Sequence, residues 1–277
     1  MAAPAKMNEI TEAFSTLARF MFRTNDCRAG SISSTFLFGH RRTTMPPLRS
    51  RASDRNLYGR RPHRHDVKKQ QLEMLLQKVR GHPRPSANLE QYSTPAAIAA
   101  DVLWFAYAQG DIAGKKVVDL GCGTGILGIG AKLLGADEVI SLDVDETALG
   151  VAMKNAQDLG VDLSLLTVDV TDFPEPADTV LMNPPFGAQN PHADVPFLER
   201  ALATAPVTYT FHNAETEPFV RKKVGELGGT ATHRKSYAFP LPHSMPFHTA
   251  EVRDVPVVML RIERGAPAGS DAVVGGT

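Results

Sequence analysis

The sequence predicts an α/β fold built on a parallel sheet, and three observations lead to that prediction. Apolar strands and amphipathic helices alternate between residues 115 and 182 in the order βαβαβ, and a fourth strand follows. A glycine-rich loop, Gly121 to Gly125, comes directly after the first strand. An aspartate stands at or next to the end of each of three successive strands, at Asp119, Asp143 and Asp169. With 277 residues, 43% of them hydrophobic, the chain can bury one substantial core.

Charge is distributed unevenly along the chain. Residues 1–66 hold 12 Lys and Arg against 5 Asp and Glu, a net charge of +7, and the remainder carries −7. We predict a basic, disordered extension over residues 1–66, one domain over 67–264 and a flexible tail over 265–277. For the extension, three readings stay open: a solvated tail, an arm that gathers nucleic acid by charge, and a start site placed too far upstream.

Cysteine usage and hydropathy exclude several classes of protein. Cys27 and Cys122 provide neither a disulfide framework nor a metal-ligand spacing, so we predict no metal site and a reducing compartment, the cytoplasm. The sequence contains no run of eighteen apolar residues, and no membrane span is predicted. Residues 10–22 and the Arg and Ser that follow are faintly similar to an organelle transit peptide, but nearby acidic residues argue against that interpretation.

Two helices are predicted before the first strand. Residues 68–80 place leucines and a valine on one stripe, and the glycine and prolines that follow end this helix. Thr94 is a suitable N-cap, with Pro95 at the first helical position, for a second helix over residues 96–108. The aromatic residues of the second helix are expected to lie in the core.

Strands and helices alternate through the rest of the domain. Strands are predicted at 115–120, 138–142, 163–168, 179–182, 207–211 and 230–238, helices at 126–134, 145–159, 195–205 and 215–227, and a loop at 239–249. Pro256 lies in the last apolar stretch and cannot donate to a strand ladder. We therefore expect a bulge there or a final strand that begins at Val257.

The glycine loop and the aspartates predict a nucleotide-type site. Glycine lets the backbone approach a ligand closely at the carboxyl end of a parallel strand, although G-x-G-x-G is an imperfect dinucleotide fingerprint. Asp143 stands 20 residues after Gly123, where a carboxylate can accept both ribose hydroxyls of an adenosine group. Asp169 can accept from an adenine amino group while the Val170 N–H donates to the ring. Each aspartate alone could equally be a capping or turn residue.

A second motif lies in the stretch Asp178 to Gly187, where an apolar run stops at Asn183-Pro184-Pro185-Phe186. The two prolines have no backbone donors, and Pro184 disfavours a helical conformation at Asn183. A stiff, extended turn results. It can present the Asn183 amide oxygen and the Pro184 carbonyl as two acceptors facing one way, beside the Phe186 ring. Two such acceptors suit an NH2 group on a flat ring.

Together these motifs resemble those of class I S-adenosylmethionine-dependent methyltransferases. More narrowly, the sequence resembles the archaeal and eukaryotic small-subunit rRNA adenine-N6 methyltransferases of the methyltransferase-like-five type. The resemblance rests on residues 89–94, 118–125, 143–149, 178–187, 211–212, 221–223, 240–242 and 247–248, and covers about residues 67–264. It implies a Rossmann-like fold, with helices on both faces of a seven-stranded, mostly parallel sheet.

The resemblance also implies roles for individual residues, with S-adenosyl-L-methionine as the cofactor. The cofactor-binding residues that it implies are Gln91, Thr94, Asp119, Gly121, Gly123, Thr124, Ile126, Asp143, Asp169 and Val170. Asn183, Pro184, Pro185 and Phe186 would form the catalytic turn, which binds the N6 amine of an adenine in structured RNA.

Two kinds of partner are implied as well. The edge strand Leu163 to Val168 has apolar side chains on both faces, and in the family that this sequence resembles a small zinc-binding activator subunit pairs with this edge. RNA is the other partner. Because the domain is acidic, its capture should depend on local cations, of which the candidates are Lys68, Lys69, Arg80, Arg84, Arg221 to Lys223, Arg234 and Lys235.

Other planar amines are open alternatives for the substrate. Asn-Pro-Pro followed by an aromatic residue also serves methyltransferases that act on guanine N2, cytosine N4 or the side-chain amide of a protein glutamine. The acidic domain gives the protein substrate some support. A binding module without activity is a further alternative, and the intact Asn183 to Phe186 set argues against it.

Overall fold

A seven-stranded sheet forms the centre of the computed structural model, which describes residues 68–85, 90, 93–187, 190–241 and 253–265. The predicted basic extension, Gln91, most of the predicted loop at 239–249 and the tail after residue 265 lie outside these ranges. All described residues belong to one of the two compact units of the chain, Tyr58–Thr277.

The sheet is mostly parallel, as predicted. Its strands are β1 (Lys116–Leu120), β2 (Glu138–Asp143), β3 (Ser164–Thr167), β4 (Thr179–Met182), β5 (Val207–Asn213), β6 (Gly229–Leu241) and β7 (Arg253–Arg264). Their order across the sheet is β3-β2-β1-β4-β5-β7-β6. The first five strands run parallel, and β7 is antiparallel to both β5 and β6.

Helices cover both faces of the sheet, which confirms the predicted fold class. They are α1 (Lys69–Leu76), α2 (Ala96–Ala108), α3 (Ile126–Leu133), α4 (Glu146–Leu159), α5 (Val195–Thr204) and α6 (Glu217–Glu226). Successive residues of β1 point to opposite faces of the sheet. Val117 packs in the core cluster that includes α1, α2 and α3, and Val118 packs in the cluster that includes α5 and α6. Within the described residues, no helix has the length and apolar character needed to cross a membrane.

The parallel register brings the carboxyl ends of the strands to one edge. Leu120, the last residue of β1, pairs with Leu142 of β2 and with Met182 of β4. Asp143 then ends β2 and Asn183 follows β4 directly, so the motifs that were predicted separately meet at this edge.

Three predicted boundaries were wrong by more than two residues. The first helix ends at Leu76 instead of residue 80, because tighter turns follow, with the Lys78 N–H bonded to the Leu75 carbonyl. Strand β6 continues to Leu241, into the predicted loop. Strand β7 begins at Arg253 and runs through Pro256 without a bulge there. Its pairing with β5 ends at Val257, so at Pro256 it has one neighbour and a missing donor is tolerated.

Close packing of α3 against the sheet buries Asp119 of β1. Gly128 of α3 lies so near the strands that a Cβ there would overlap Ser141 Oγ. Its N–H reaches Asp119 Oδ2 at 2.8 Å. Burial raises the pKa of Asp119 to about 7, assisted by the charge of Asp143, and the Gly128 hydrogen bond offsets part of the rise.

The raised pKa of Asp119 predicts a pH-dependent term in stability. Between pH 3.8 and about 7 the folded chain keeps a proton that the unfolded chain has lost, so this term weakens the fold as the pH rises through that window. Asp119→Asn removes the term while its amide oxygen can still accept from Gly128. The free energy of unfolding of wild type minus that of the variant should fall by roughly 4 kcal/mol across the window. Urea unfolding at several pH values measures it, and a difference independent of pH would contradict the assignment.

Candidate active site

The carboxyl ends of β1 to β4 border a cavity of about 520 Å³, within the range of about 300–1,000 Å³ that is usual for small-molecule sites. The predicted cofactor residues in its wall are Thr94, Asp119, Gly121, Gly123, Thr124, Ile126, Asp143, Asp169 and Val170. Asn183 and Pro185 also line it. Pro184 and Phe186 line a smaller recess that shares Asn183 with the cavity. The structure thus gathers these residues, while Gln91 lies outside its described part.

The glycine loop forms the floor of the cavity. Gly121 has φ +67°, and a Cβ there would stand 2.8 Å from the Phe197 ring, which also lines the cavity. A Cβ at Gly123, with φ +53°, would meet nothing within 4 Å. Gly121 is therefore required both by its left-handed backbone and by the neighbouring ring, whereas Gly123 exposes backbone to the cavity.

Asp143 is held rigidly at the cavity wall. Its Oδ2 accepts from the Gly123 N–H at 2.8 Å, and its Oδ1 accepts from the Asp145 N–H at 3.0 Å. Each carboxylate oxygen has a further lone pair, so the side chain can still accept from two hydroxyls. The arrangement suits a vicinal diol such as ribose.

Asp169 lies at the other side of the cavity, after β3. Its Oδ1 accepts from the Thr171 hydroxyl at 2.7 Å and from the Thr171 N–H at 2.8 Å. The hydroxyl contact and then the N–H contact lower the pKa of Asp169, so it is ionised at neutral pH. Its other oxygen, Oδ2, takes no part in these two bonds, which leaves it as an acceptor for a ligand amine beside buried Val170.

The Asn-Pro-Pro-Phe turn has one buried acceptor in need of a partner. Asn183 Nδ2 donates to Thr94 Oγ1 at 3.0 Å. Asn183 Oδ1 is buried, and no described residue donates a hydrogen bond to it. A buried acceptor without a donor is costly, and native proteins keep few of them. The Asn183 amide oxygen is therefore available for a donor on a ligand.

Glu90 anchors the far end of the same turn. The Phe186 N–H, the first backbone donor after the two prolines, donates to Glu90 Oε2 at 2.6 Å. Glu90 is only 8% exposed and has φ +48°, an uncommon conformation for a residue with a side chain. Sequence reasoning placed Glu90 inside the matching stretch 89–94 and gave it no role, because nothing in its spacing marks a partner 96 residues away.

Buried aromatic residues support the Phe186 ring. The ring lies 6.1 Å from that of Phe239, nearly parallel to it at 20°. Phe239 in turn contacts Phe211 at 5.6 Å, and both are buried. Phe239 was predicted to start a loop, and its place on β6 makes it part of this aromatic stack instead.

Two further buried polar residues hold the loops of the site. Asn155 of α4 donates to the carbonyls of Thr124 and Arg80, each at 3.0 Å, which ties the glycine loop to the segment after α1. His212 Nδ1 lies 3.0 Å from Asp194 Oδ2, at the start of α5. Sequence reasoning missed Asn155 and Asp194, and only the Phe211-His212 pair carried a signal.

Most of the cations predicted to capture RNA are engaged in ion pairs. Lys69 and Lys235 share Asp101, and Arg221 and Arg234 share Glu217. The other pairs among the candidates are Arg80 with Asp158, Lys222 with Glu226 and Lys223 with Glu199. Their carboxylate partners cancel much of the local positive charge, so phosphate contacts in the described part of the chain are weaker than the sequence indicates.

Comparisons with known proteins agree with this site. A family model described as "Methyltransferase small domain" matches residues 100–208. An uncharacterized protein of Methanocaldococcus jannaschii is 42% identical over 210 residues, which are 72% of this chain and 95% of that protein. The rRNA N6-adenosine-methyltransferase METTL5 of Danio rerio is 34% identical over 203 residues, 70% of this chain and 98% of that enzyme.

A solved structure extends the likeness to three dimensions. The crystal structure of a candidate RNA methyltransferase from Pyrococcus horikoshii superimposes with a TM-score of 0.68 at 40% sequence identity, and the match covers 72% of this chain and 98% of that one. The glycine loop and the Asn-Pro-Pro-Phe turn lie within residues 100–208, the range that the family model matches. The chain belongs to the methyltransferase family that includes the METTL5-type rRNA N6-adenosine-methyltransferases.

Proposed function

We propose that this protein transfers a methyl group from S-adenosyl-L-methionine to the N6 amine of an adenine in structured RNA, specifically rRNA. The observation that carries the proposal is the buried Asn183 Oδ1, which accepts from no described residue and lies where the cavity meets the smaller recess. Relatives named as rRNA N6-adenosine-methyltransferases support the choice of adenine and of rRNA. With rRNA as substrate, the predicted cytoplasmic location is part of the same proposal.

The residues around the cavity fit the cofactor. Asp143 offers two oriented acceptors for the ribose hydroxyls, and Asp169 with Val170 suits the adenine. The residues proposed to hold the methionine part are Thr94, Asp119, Gly121, Gly123, Thr124 and Ile126, with Gln91 proposed from the resemblance alone. When bound, the cofactor supplies an electrophilic methyl group on a sulfonium.

The turn prepares the amine for attack. An exocyclic adenine nitrogen is a poor nucleophile because its lone pair is conjugated with the ring. Hydrogen bonds from its two N–H groups to Asn183 Oδ1 and the Pro184 carbonyl favour a tetrahedral nitrogen, whose lone pair is more available. Pro185 keeps the turn stiff, and Phe186 stacks on the base, a contact worth roughly 1–3 kcal/mol. The base must be unpaired or flipped out to reach this turn.

Positioning of the two reactants is the main source of rate in this account. The N6 proton is lost after transfer, when the amine has become acidic, so no side chain is assigned as a general base. The Asn183 and Pro184 oxygens hold the N6 protons until then.

Substitutions at Asn183 and Asp143 should separate chemistry from cofactor binding. Asn183→Ala removes the amine acceptor and should slow methyl transfer to RNA by roughly a hundredfold or more, while cofactor affinity stays close to wild type. Asp143→Ala should first weaken cofactor affinity, because it removes the ribose acceptor. Calorimetry with the cofactor and transfer of a labelled methyl group to rRNA measure the two effects.

Met74→Ala is the control, because Met74 is 65% exposed on α1 and outside the cavity and should keep both properties. Ribosomal and release-factor proteins serve as alternative acceptors in the same assay. Label in protein glutamine instead of RNA would overturn the proposed substrate, and equal losses of binding and transfer in Asn183→Ala would overturn the role of Asn183.

Glu90 should act as a positioning residue for the turn. Glu90→Ala removes the acceptor for the Phe186 N–H, so kcat should fall roughly tenfold, as expected when positioning is lost, and cofactor affinity should change less. Glu90→Gln keeps an acceptor oxygen and should retain more activity. Exchange of the Phe186 amide proton gives a readout independent of activity and should speed up in Glu90→Ala. Glu226→Ala, at an exposed residue near the C-terminal end of α6, is the control. If the Phe186 amide exchanges at the wild-type rate in Glu90→Ala, Glu90 does not position the turn.

We also propose a protein partner at the edge strand β3. This strand lies at one end of the sheet and pairs only with β2 among the described strands. Ser164–Thr167 contains no charge and no proline, and Leu166 is 38% exposed. Such an edge invites addition of another strand, and the family resemblance suggests a small zinc-binding activator subunit as its source.

Co-expression with that activator should give a one-to-one complex, whereas the chain alone should aggregate. Leu166→Lys places a charge on the exposed side of β3 and should abolish the complex, and Met74→Lys, at an exposed residue of α1, should not. Size-exclusion chromatography with light scattering measures the assembly. A stable monomer whose residues 163–168 resist hydrogen exchange without a partner would refute the proposal.

A further inference from the structure

The first turn of α6 places an exposed aromatic ring beside the cavity. Phe219 is 39% exposed and is the only aromatic among the exposed large hydrophobic residues in the described part of the chain. Its ring centroid lies 4.4 Å from that of His192, which lines the cavity together with Asn183. An exposed aromatic pair thus borders the entrance to the proposed catalytic turn.

Topology keeps this pair near the reaction. Helix α6 follows the carboxyl end of β5, and β5 lies next to β4 in parallel register, with Met182 opposite Thr210. Asn183 follows β4 at the same edge of the sheet. The ring of Phe219 is therefore at the same edge of the sheet as Asn183, next to the cavity-lining His192 but not itself in the cavity wall.

Two arginines hold the first turn of α6 through Glu217. Arg234 contacts both carboxylate oxygens of Glu217, at 2.8 and 3.0 Å, and Arg221 contacts Oε1 at 2.8 Å. Two guanidinium groups thus share one carboxylate, which leaves a net charge of +1. The arginine side chains are partly exposed and Glu217 is mostly covered. These bonds also fix the turn that carries Phe219.

A nucleotide fits this surface better than a protein segment. The aromatic pair is small, whereas protein docking sites are usually wider apolar patches. A single unpaired base can stack on an exposed aromatic ring of this size. Stacking is also needed, because the core carries a net charge of −7 and many of its cations are paired, so phosphate attraction is limited.

We propose that Phe219 and His192 form a stacking surface for a base that directly flanks the target adenine in single-stranded RNA. The inference rests on the proposed function, since the flank is defined by the adenine at Asn183. It adds a contact that captures RNA without taking part in methyl transfer. It also requires the flanking nucleotide, like the target, to be unpaired.

Phe219→Ala tests the surface in the full-length protein, purified with its edge-strand partner if the chain alone is insoluble. The probe is a short fluorescein-labelled oligoribonucleotide with one adenosine between cytidines, followed by fluorescence anisotropy. The variant should bind roughly tenfold more weakly and show a similarly raised KM for rRNA, with kcat and cofactor affinity unchanged. Phe219→Trp keeps an aromatic ring and should bind the probe with an affinity close to that of wild type. Met74→Ala removes a residue that is 65% exposed on α1 and should have no effect.

Abasic probes identify the contact itself. Probes that lack the base on the 5′ or the 3′ side of the adenosine should lose affinity for wild type on one side only, and Phe219→Ala should not distinguish that probe from the intact one. Equal affinities of wild type and Phe219→Ala, or independent losses from the two changes, would overturn the stacking surface. If wild type methylates rRNA in that case, the proposed function stands. Absence of RNA binding and RNA methylation by wild type would refute both.

Discussion

The missing N–H groups of Pro184 and Pro185 are the constraint on which the site depends. A turn with two adjacent prolines cannot secure itself with backbone hydrogen bonds at those positions. It is secured from outside, at Asn183 by Thr94 Oγ1 and at Phe186 by Glu90 Oε2. Both acceptors precede α2, so the placement of the turn depends on how α2 packs against the sheet.

That packing connects the turn to the cavity. Leu103 of α2 lies so close to Gly130 of α3 that no Cβ fits between them, and α3 begins directly after the glycine loop. Thr94 itself lines the cavity. Asn183 and the wall of the cavity therefore share one support.

The glycine loop and the polar side chains of the site were predictable from the sequence because each of them directly follows an apolar strand. The glycine loop, Asp143 and Asn183 each follow an apolar strand, and the parallel sheet brings them to one edge. Glu90, Asn155 and Asp194 were not predictable, because their partners are 96, 75 and 18 residues away and no spacing rule connects them. The error at Pro256 has a similar origin, since tolerance of proline there depends on where the neighbouring strand β5 ends.

Charge shows the same limit of sequence reasoning. Counting lysines and arginines indicates a basic surface on α6 and β6, but Glu217 lies where it pairs with Arg221 and Arg234 together. This pairing neutralises part of the positive charge and holds the two arginine side chains against the first turn of α6.

The central claim is that the two acceptors of the turn hold the amine of an adenine. The most direct test is to incubate the purified protein with isotope-labelled cofactor and rRNA from cells that lack the gene, digest the RNA and identify the labelled nucleoside by mass spectrometry. We expect label in N6-methyladenosine, incorporated roughly a hundredfold more slowly or less with Asn183→Ala. Label in N2-methylguanosine or N4-methylcytidine, or undiminished N6-methyladenosine with the variant, would contradict it.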